Sequence, residues 1–261
     1  GVKAHPQREG KLLGQWLAAG LDRLDYRTDS VSFRQVAPQV AQIEARTLVR
    51  AAGAPAGFVH RHTYTIYGHG DILIDHLIEA EAGLPPLPRL GLSLTLRPGF
   101  EQFTWYGRGP HENYIDRNAG AAIGLYHSSV DDQYIPYIMP QENGNKTDVR
   151  WLALTDPQGQ GAGLLVVGQP PLEVSVSHYS AADLYRAFHT NELVRRPEVI
   201  LNLDYRQCGL GGASCGPGTL PPYLVLPGTY QFSVRLRPFV AAAEDPAQLA
   251  RQRLESGERR A

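Results

Sequence analysis

The 261 residues carry 25 Lys and Arg against 26 Asp and Glu, which excludes both the broad basic surface that grips phosphate backbones and an acidic tail protein. Apolar residues at 43% and charged residues at 20% belong to a packed globular protein and exclude a disordered one. The length suits one large β domain or two smaller ones, with a core that needs no disulfide or metal staple.

After a polar, irregular start, Leu12, Leu13, Trp16, Leu17, Leu21 and Leu24 recur at three- and four-residue steps. That spacing predicts a short helix, weakened by Gly14 and Gly20. From about residue 30 the period becomes two. Strands are expected around 31–37, 40–51, 58–68, 71–80, 90–96 and 101–106, then 148–155, 162–168, 172–177, 199–206 and 230–237. The alternation is plainest in Leu90, Leu92, Leu94 and Leu96, and again in Tyr230, Phe232, Val234 and Leu236. Each such strand places one face on a core and the other nearer water. Turn residues such as Pro98-Gly99 and Pro227-Gly228 punctuate the series, and no helical spacers intervene. The expected fold is therefore an all-β antiparallel sandwich. A short helix is predicted over 181–188, with Ser180 and Asp183 forming a capping box, and Asp245-Pro246 opens a terminal helix. The organisation is one domain over 1–239 and a tail over 240–261.

Several segments carry polar chemistry. Residues 212–216 spell G-x-S-x-G, but the prolines that follow forbid the helix that a nucleophile elbow requires. The better reading is a glycine-rich loop whose backbone approaches something closely, with Gly209, Gly211, Gly212, Gly216 and Gly218 within ten residues. His60 and His62 alternate on one strand, with His69 and His76 downstream. No further ligand is forced by spacing, so no metal is expected here and the histidines are read as facing solvent. Glycoside hydrolysis needs two facing carboxyls, and Glu112, Asp116, Asp131, Asp132 and Glu142 are candidates by type. The favoured reading is instead a hydrogen-bonded network that fixes long loops. Cys208 and Cys215 form no CxxC pair and are expected as reduced thiols. No apolar run approaches the roughly 20 residues of a membrane span. The first residues lack the apolar stretch of a secretory signal, so a cytoplasmic protein is expected, with Asn145-Lys146-Thr147 a chance sequon.

The run Trp105-Tyr-Gly-Arg-Gly-Pro-His-Glu-Asn-Tyr-Ile-Asp-Arg117, followed by Tyr134-Ile-Pro-Tyr-Ile-Met-Pro-Gln-Glu-Asn-Gly-Asn145, resembles the C-terminal domain, or small chain, of large bacterial β-galactosidases of glycoside hydrolase family 2. Residues 88–92, 178–180, 189–193 and 203–217 extend the resemblance over about 1–239. It implies a very large antiparallel sandwich similar to galactose mutarotase, in an enzyme that hydrolyses terminal β-galactosides with retention. It also implies that the acid/base and nucleophile glutamates, and the magnesium and sodium sites, sit in a central barrel domain outside these residues, which show no (β/α)₈ pattern. No catalytic residue is therefore expected in this chain. What the resemblance implies for this domain is a substrate-rim loop, carried here by Gly211, Gly212, Ser214, Cys215 and Gly216. Some members place a stacking tryptophan where Cys215 stands, and a cysteine cannot stack as an indole does. Relatives with Ser-Cys-Gly-Pro-Gly imply a different rim. Glu112, Asn113, Arg117, Glu142 and Asn143 are secondary candidates for sugar contact. The implied partners are the catalytic portion, on the same or another chain, the β-galactoside, and further copies in an oligomer. Because the resemblance implies strands before Gly1, an open core flank and poor solubility in isolation are expected. A different class of reading is an independent carbohydrate-binding or mutarotase-like module using His178, His189 and Glu192 as acid and base.

Overall fold

A computed structural model describes residues 11–212 and 216–254. Among these residues eleven strands form: β1 (Leu24–Ala37), β2 (Val40–Ala51), β3 (Phe58–Tyr67), β4 (Ile72–Ala80), β5 (Arg89–Leu96), β6 (Gln102–Gly109), β7 (Ala122–Ser129), β8 (Lys146–Thr155), β9 (Ala162–Ser177), β10 (Val199–Gln207) and β11 (Thr229–Val240). Three short helices join them: α1 (Leu12–Ala18), α2 (Ala181–Arg186) and α3 (Pro246–Arg251). Every strand ladder is antiparallel, as the alternation required.

The large sheet runs β1-β2-β3-β4-β11-β9-β8-β6-β7. Strand β9 links it to a second layer. Its first half pairs with β11 and β8, Val166 lying opposite Leu236 and Leu152. Its second half pairs with β10, Val174 opposite Leu203, and β10 in turn carries β5. Sequence reading splits this region into two strands because prolines end ladders. The chain instead continues through Pro170-Pro171 at an exposed corner, where the β11 ladder has ended and the β10 ladder has not begun. No ladder donor is lost there.

The core lies between the layers. Phe103, Trp105, Leu152, Leu154, Val166 and Val234 on the large sheet pack in one cluster with Val199, Leu201, Leu203 and Leu92 of the second layer. Tyr205 stacks on Phe232 at 5.2 Å. Each fully buried leucine here is worth about 1.5–3 kcal/mol. A smaller cluster of Ala153, Leu165 and Phe239 is covered by Leu249 of α3. The tail is tied down further by Arg235, which donates to the carbonyls of Leu249 at 3.1 Å and Gln252 at 2.9 Å.

The second layer stops at β5, and the large sheet continues past it uncovered. Val31 and Phe33 on β1, Ile43 on β2 and Tyr64 on β3 lie in register on the inner face, and Phe33 is 69% exposed. The reverse face carries charges, with Arg61 paired to Glu79 at 2.8 Å. A cleft of about 680 Å³ opens where the layers part, with Val49, Phe58 and Ile78 on one wall and Leu90 and Ile200 on the other.

Three local expectations change. Helix α1 ends at Ala18 because Gly20 adopts φ +72°, so Leu24 starts β1 instead of extending the helix. Strand β7 escapes sequence reading because its apolar residues, Ile123 and Leu125, face outward. The strand histidines do not face solvent. His76 is buried on the inner face, stacked on Phe232 at 4.6 Å, with His60 Nε2 at 2.9 Å from its Nδ1. The sequon is sealed, because Asn145 is buried. The capping box on α2 forms as read, Asp183 N–H donating to Ser180 Oγ and Ser180 N–H to Asp183.

Candidate functional site

The polar runs converge at one end of the sandwich, beyond β6 and β10. Strand β6 ends at Gly109, and the chain turns inward. Asn113 is wholly buried. Its Oδ1 accepts from the Thr147 backbone at 2.9 Å and the Thr147 hydroxyl at 2.6 Å. Its own N–H donates to the Asn145 carbonyl at 2.8 Å, and its carbonyl accepts from Asn145 Nδ2 at 2.9 Å. Two asparagine side chains thus supply the hydrogen bonds that a regular ladder would have made.

Glu112 is buried beside it. One oxygen accepts from Arg117 at 2.6 Å and from the Tyr137 hydroxyl, the other from Gly144 N–H at 2.8 Å. Burial pushes this carboxyl up, and the bonds from Tyr137, Gly144 and Arg117 outweigh it, so the group sits below the ordinary glutamate range. It is a fully engaged anion. Arg117 lies over the Tyr114 ring at 5.2 Å. Glu142 pairs with Arg89 at 3.0 Å, and Arg89 reaches buried Asp204 at 2.7 Å. Asn143 Oδ1 accepts from Ile135 N–H at 2.9 Å. Asp131 is held by Arg195 at 2.8 Å, and Asp132 accepts from Ser129 at 2.7 Å. Each of these candidate carboxylates already has an internal partner.

Two buried titratable groups went unread in the sequence. Burial raises Glu173 to about 7 against the bonds from Gln207 N–H and Asn145. Lys146, buried over the Trp105 ring at 5.3 Å, is lowered by burial to about 8, with Glu112 opposing. Both sit where strand alternation gives no warning of a charge.

The glycine-rich loop follows β10. Gly209 N–H donates to the Tyr223 carbonyl at 2.9 Å, and Thr219 Oγ1 donates to the Gly209 carbonyl at 2.7 Å. Gly212 N–H reaches the Pro217 carbonyl at 3.0 Å. Gly211 has φ +59°, and a Cβ there would meet Thr219 N at 2.6 Å. The close approach predicted for this loop is thus between its own two arms, where a side chain would not fit. Ser214 and Cys215 lie outside the described residues. From across the end of the sandwich, Asp116 Oδ2 accepts Gly211 N–H at 2.7 Å. Beside that contact lies an open cleft of about 500 Å³ lined by His111, Ile115, Asp116, Arg117 and Tyr223.

Elsewhere, Glu101, Asp131 and His178 gather in metal-ligand reach, but the Arg195 guanidinium already bridges all three. A cation site there is filled by the protein's own arginine. His178 is buried, with Nδ1 on the Glu198 carbonyl and Nε2 on Glu101, each at 2.9 Å. Exposed His189 pairs with Glu192 at 2.8 Å. Cys208 is a buried free thiol. No helix of the described residues is long and apolar enough to cross a membrane.

The family model described as Beta galactosidase small chain matches residues 4–236. A β-galactosidase of Priestia megaterium is 41% identical over 150 residues, 58% of this chain and 14% of that protein. One from Vibrio cholerae is 35% identical over 232 residues, 86% of this chain and 21% of that protein. The chain thus spans about a fifth or less of the length of these curated relatives. Among solved structures, a galactose 1-epimerase from Lactobacillus acidophilus overlaps 84% of this chain and 67% of its own, at 8% identity and a TM-score of 0.39.

Proposed function

Because the chain belongs to the β-galactosidase small-chain family, we propose that it is the C-terminal part of an enzyme hydrolysing terminal β-D-galactosides such as lactose. Its task is to pack against a catalytic barrel and present the 209–219 loop at the substrate rim. The observation that carries this is the state of the carboxylates. Among those weighed from the sequence, Glu112, Asp131, Asp132 and Glu142 are spent on arginine, tyrosine, serine or backbone donors, and Asp116 on the glycine loop. A retaining hydrolase needs one carboxyl free to attack and one free to carry a proton. In this reading both come from the catalytic portion, together with its magnesium and sodium.

The open inner face over β1, β2 and β3 belongs to the same proposal. We assign it to packing against the rest of the enzyme, on the same or another chain, since its apolar row is exposed and backed by a charged reverse face. Assembly into a homo-oligomer and a reducing, cytoplasmic setting, in keeping with the buried Cys208 thiol, complete the reading. An independent mutarotase-like module is less favoured, because both ring nitrogens of His178 are engaged.

The test is hydrolysis of a chromogenic β-galactoside by this chain alone and after adding a separately expressed catalytic portion. Activity is expected only in the mixture. Activity in the chain alone would overturn the assignment of the carboxylates elsewhere, and accelerated galactose anomer exchange by the chain alone would favour the mutarotase-like module.

A further inference from the structure

We infer that β1 is where two copies of this chain join: their β1 strands pair antiparallel about a two-fold axis between Asp29 and Ser30, which sets Asp25 of each copy opposite Arg34 of the other. This names the surface of the homo-oligomer proposed above and rests on that reading. Among the described residues β1 pairs with β2 alone, so alternate N–H and C=O groups along its 14 residues face outward. Proteins blunt such edges with proline or lysine, and Leu24–Ala37 contains neither. Tyr26, Val31 and Phe33 along it are 71%, 63% and 69% exposed.

A bulge in β1 decides the register. Thr28 lies opposite Thr47 of β2, Ser30 opposite Arg46 and Val31 opposite Ala45, so Asp29 is one residue more than that ladder needs. The inner face is therefore occupied by Tyr26 and Thr28 before the bulge and by Val31 and Phe33 after it. Residues directly opposite in an antiparallel pair point to the same face. A second β1 carries the same extra residue and stays in phase. With the axis between Asp29 and Ser30 the two bulges oppose each other, Thr28 meets Val31, and Tyr26 meets Phe33 as an aromatic cross-strand pair, all on the inner face. Moving the axis by half a residue sets inner side chains opposite outer ones, and moving it by a full residue leaves the bulges unmatched. On the reverse face the same register brings Asp25 and Arg34 together twice, and both are exposed. Within its own chain Asp25 lies opposite Arg50, but Arg50 pairs with Glu81 at 2.7 Å, so among the described residues Asp25 has no cation of its own. Arg34 reaches Glu44 only at 3.4 Å. Opposite charges across a ladder favour its formation. The arrangement uses the edge of the sheet and leaves the inner face open for the rest of the enzyme.

The experiment is sedimentation equilibrium of the 261-residue chain, alone and mixed with the catalytic portion. A monomer–dimer equilibrium is expected for the chain alone, and complexes holding two copies of it in the mixture. Each swapped charge is felt at both ends of a symmetric pairing, so Asp25→Arg and Arg34→Asp should each raise the dimer Kd about tenfold. The variant carrying both swaps should return to within about twofold of the parent. The two positions are nine residues apart on one strand, about 30 Å, so neither rescues the other within a copy. Dimers indifferent to the single swaps, or weakened alike by single and double swaps, would overturn the inference while the homo-oligomer reading stands. Dimers of the chain alone that separate when the catalytic portion binds would overturn it too, the edge then belonging to that portion. A monomer in both samples would overturn the inference and the homo-oligomer reading together. Should Arg34→Asp fail to fold beside Glu44, Asp25→Arg and Asp25→Ala decide: repulsion should weaken the dimer about tenfold and mere loss of the charge about threefold, and an unchanged Kd in both would overturn the inference.

Discussion

Asn113 ties the loop after β6 to the start of β8 through both its backbone and its side chain. Removing its side chain leaves the buried Thr147 N–H and hydroxyl without an acceptor. Asn113→Ala should therefore cost about 2–4 kcal/mol, read as a lowered urea midpoint. Glu173 makes the opposite kind of prediction. Its folded value of about 7 lies above the unfolded value of 4.5, so its contribution is complete below pH 4.5 and is lost as pH rises through 7. Glu173→Gln mimics the protonated form. It should leave stability unchanged near pH 4 and raise it by up to about 3 kcal/mol at pH 8, measured by thermal melts at the two pH values. The sequence shows both residues, and reads the polar runs around 107–117 and 134–145 as loop-ordering networks. What it hides is the pairing. Glu112 meets Gly144 across 32 residues, and Asp116 meets Gly211 across 95.

At the scale of elements, β1 is the exception to a well-covered sheet. It pairs only with β2, and most of its residues are exposed. Substitutions on its apolar face should therefore barely touch folding. Phe33→Lys is expected to change the stability of the chain by no more than about 0.5 kcal/mol while lowering both dye binding to exposed apolar surface and self-association on sizing columns. Leu201, in the middle of β10 and fully buried, gives the contrast: Leu201→Ala should cost about 2–5 kcal/mol by urea unfolding. The difference between two apolar strand residues is invisible in their alternation. It depends on whether a second layer lies over them, and that layer ends at β5.

For the whole molecule, acid is the vulnerable direction. His60 is lowered to about 4, by burial first and His62 second, and His76 to about 3, by burial and then its two histidine neighbours. Both are neutral in the fold and would be protonated in the unfolded chain below 6.5. Their contribution is thus complete above pH 6.5 and is lost as pH falls through 4 and then 3. Between about pH 6 and 4.5 the raised Glu173 and Asp204 offset this, so the melting temperature should fall mainly below pH 4.5, and His76→Leu should flatten that decline. Had the histidines faced water, as their strand spacing suggests, no such slope would arise.

Legible along the chain are the strand-by-strand alternation, the turns that separate the strands, the cap of α2, and the kinship carried by residues 105–117 and 134–145. These are local properties, decided by period, backbone freedom and residue type within a dozen positions. Legible only in the folded chain are the passage of β9 through its prolines into a second layer, the inward turn of the histidines, the engagement of the carboxylates, and the bond from Gly211 N–H to Asp116. Each of these is a contact between segments far apart in the chain. Hydrophobic burial and hydrogen-bond satisfaction choose such partners in space, and sequence spacing carries no record of that choice.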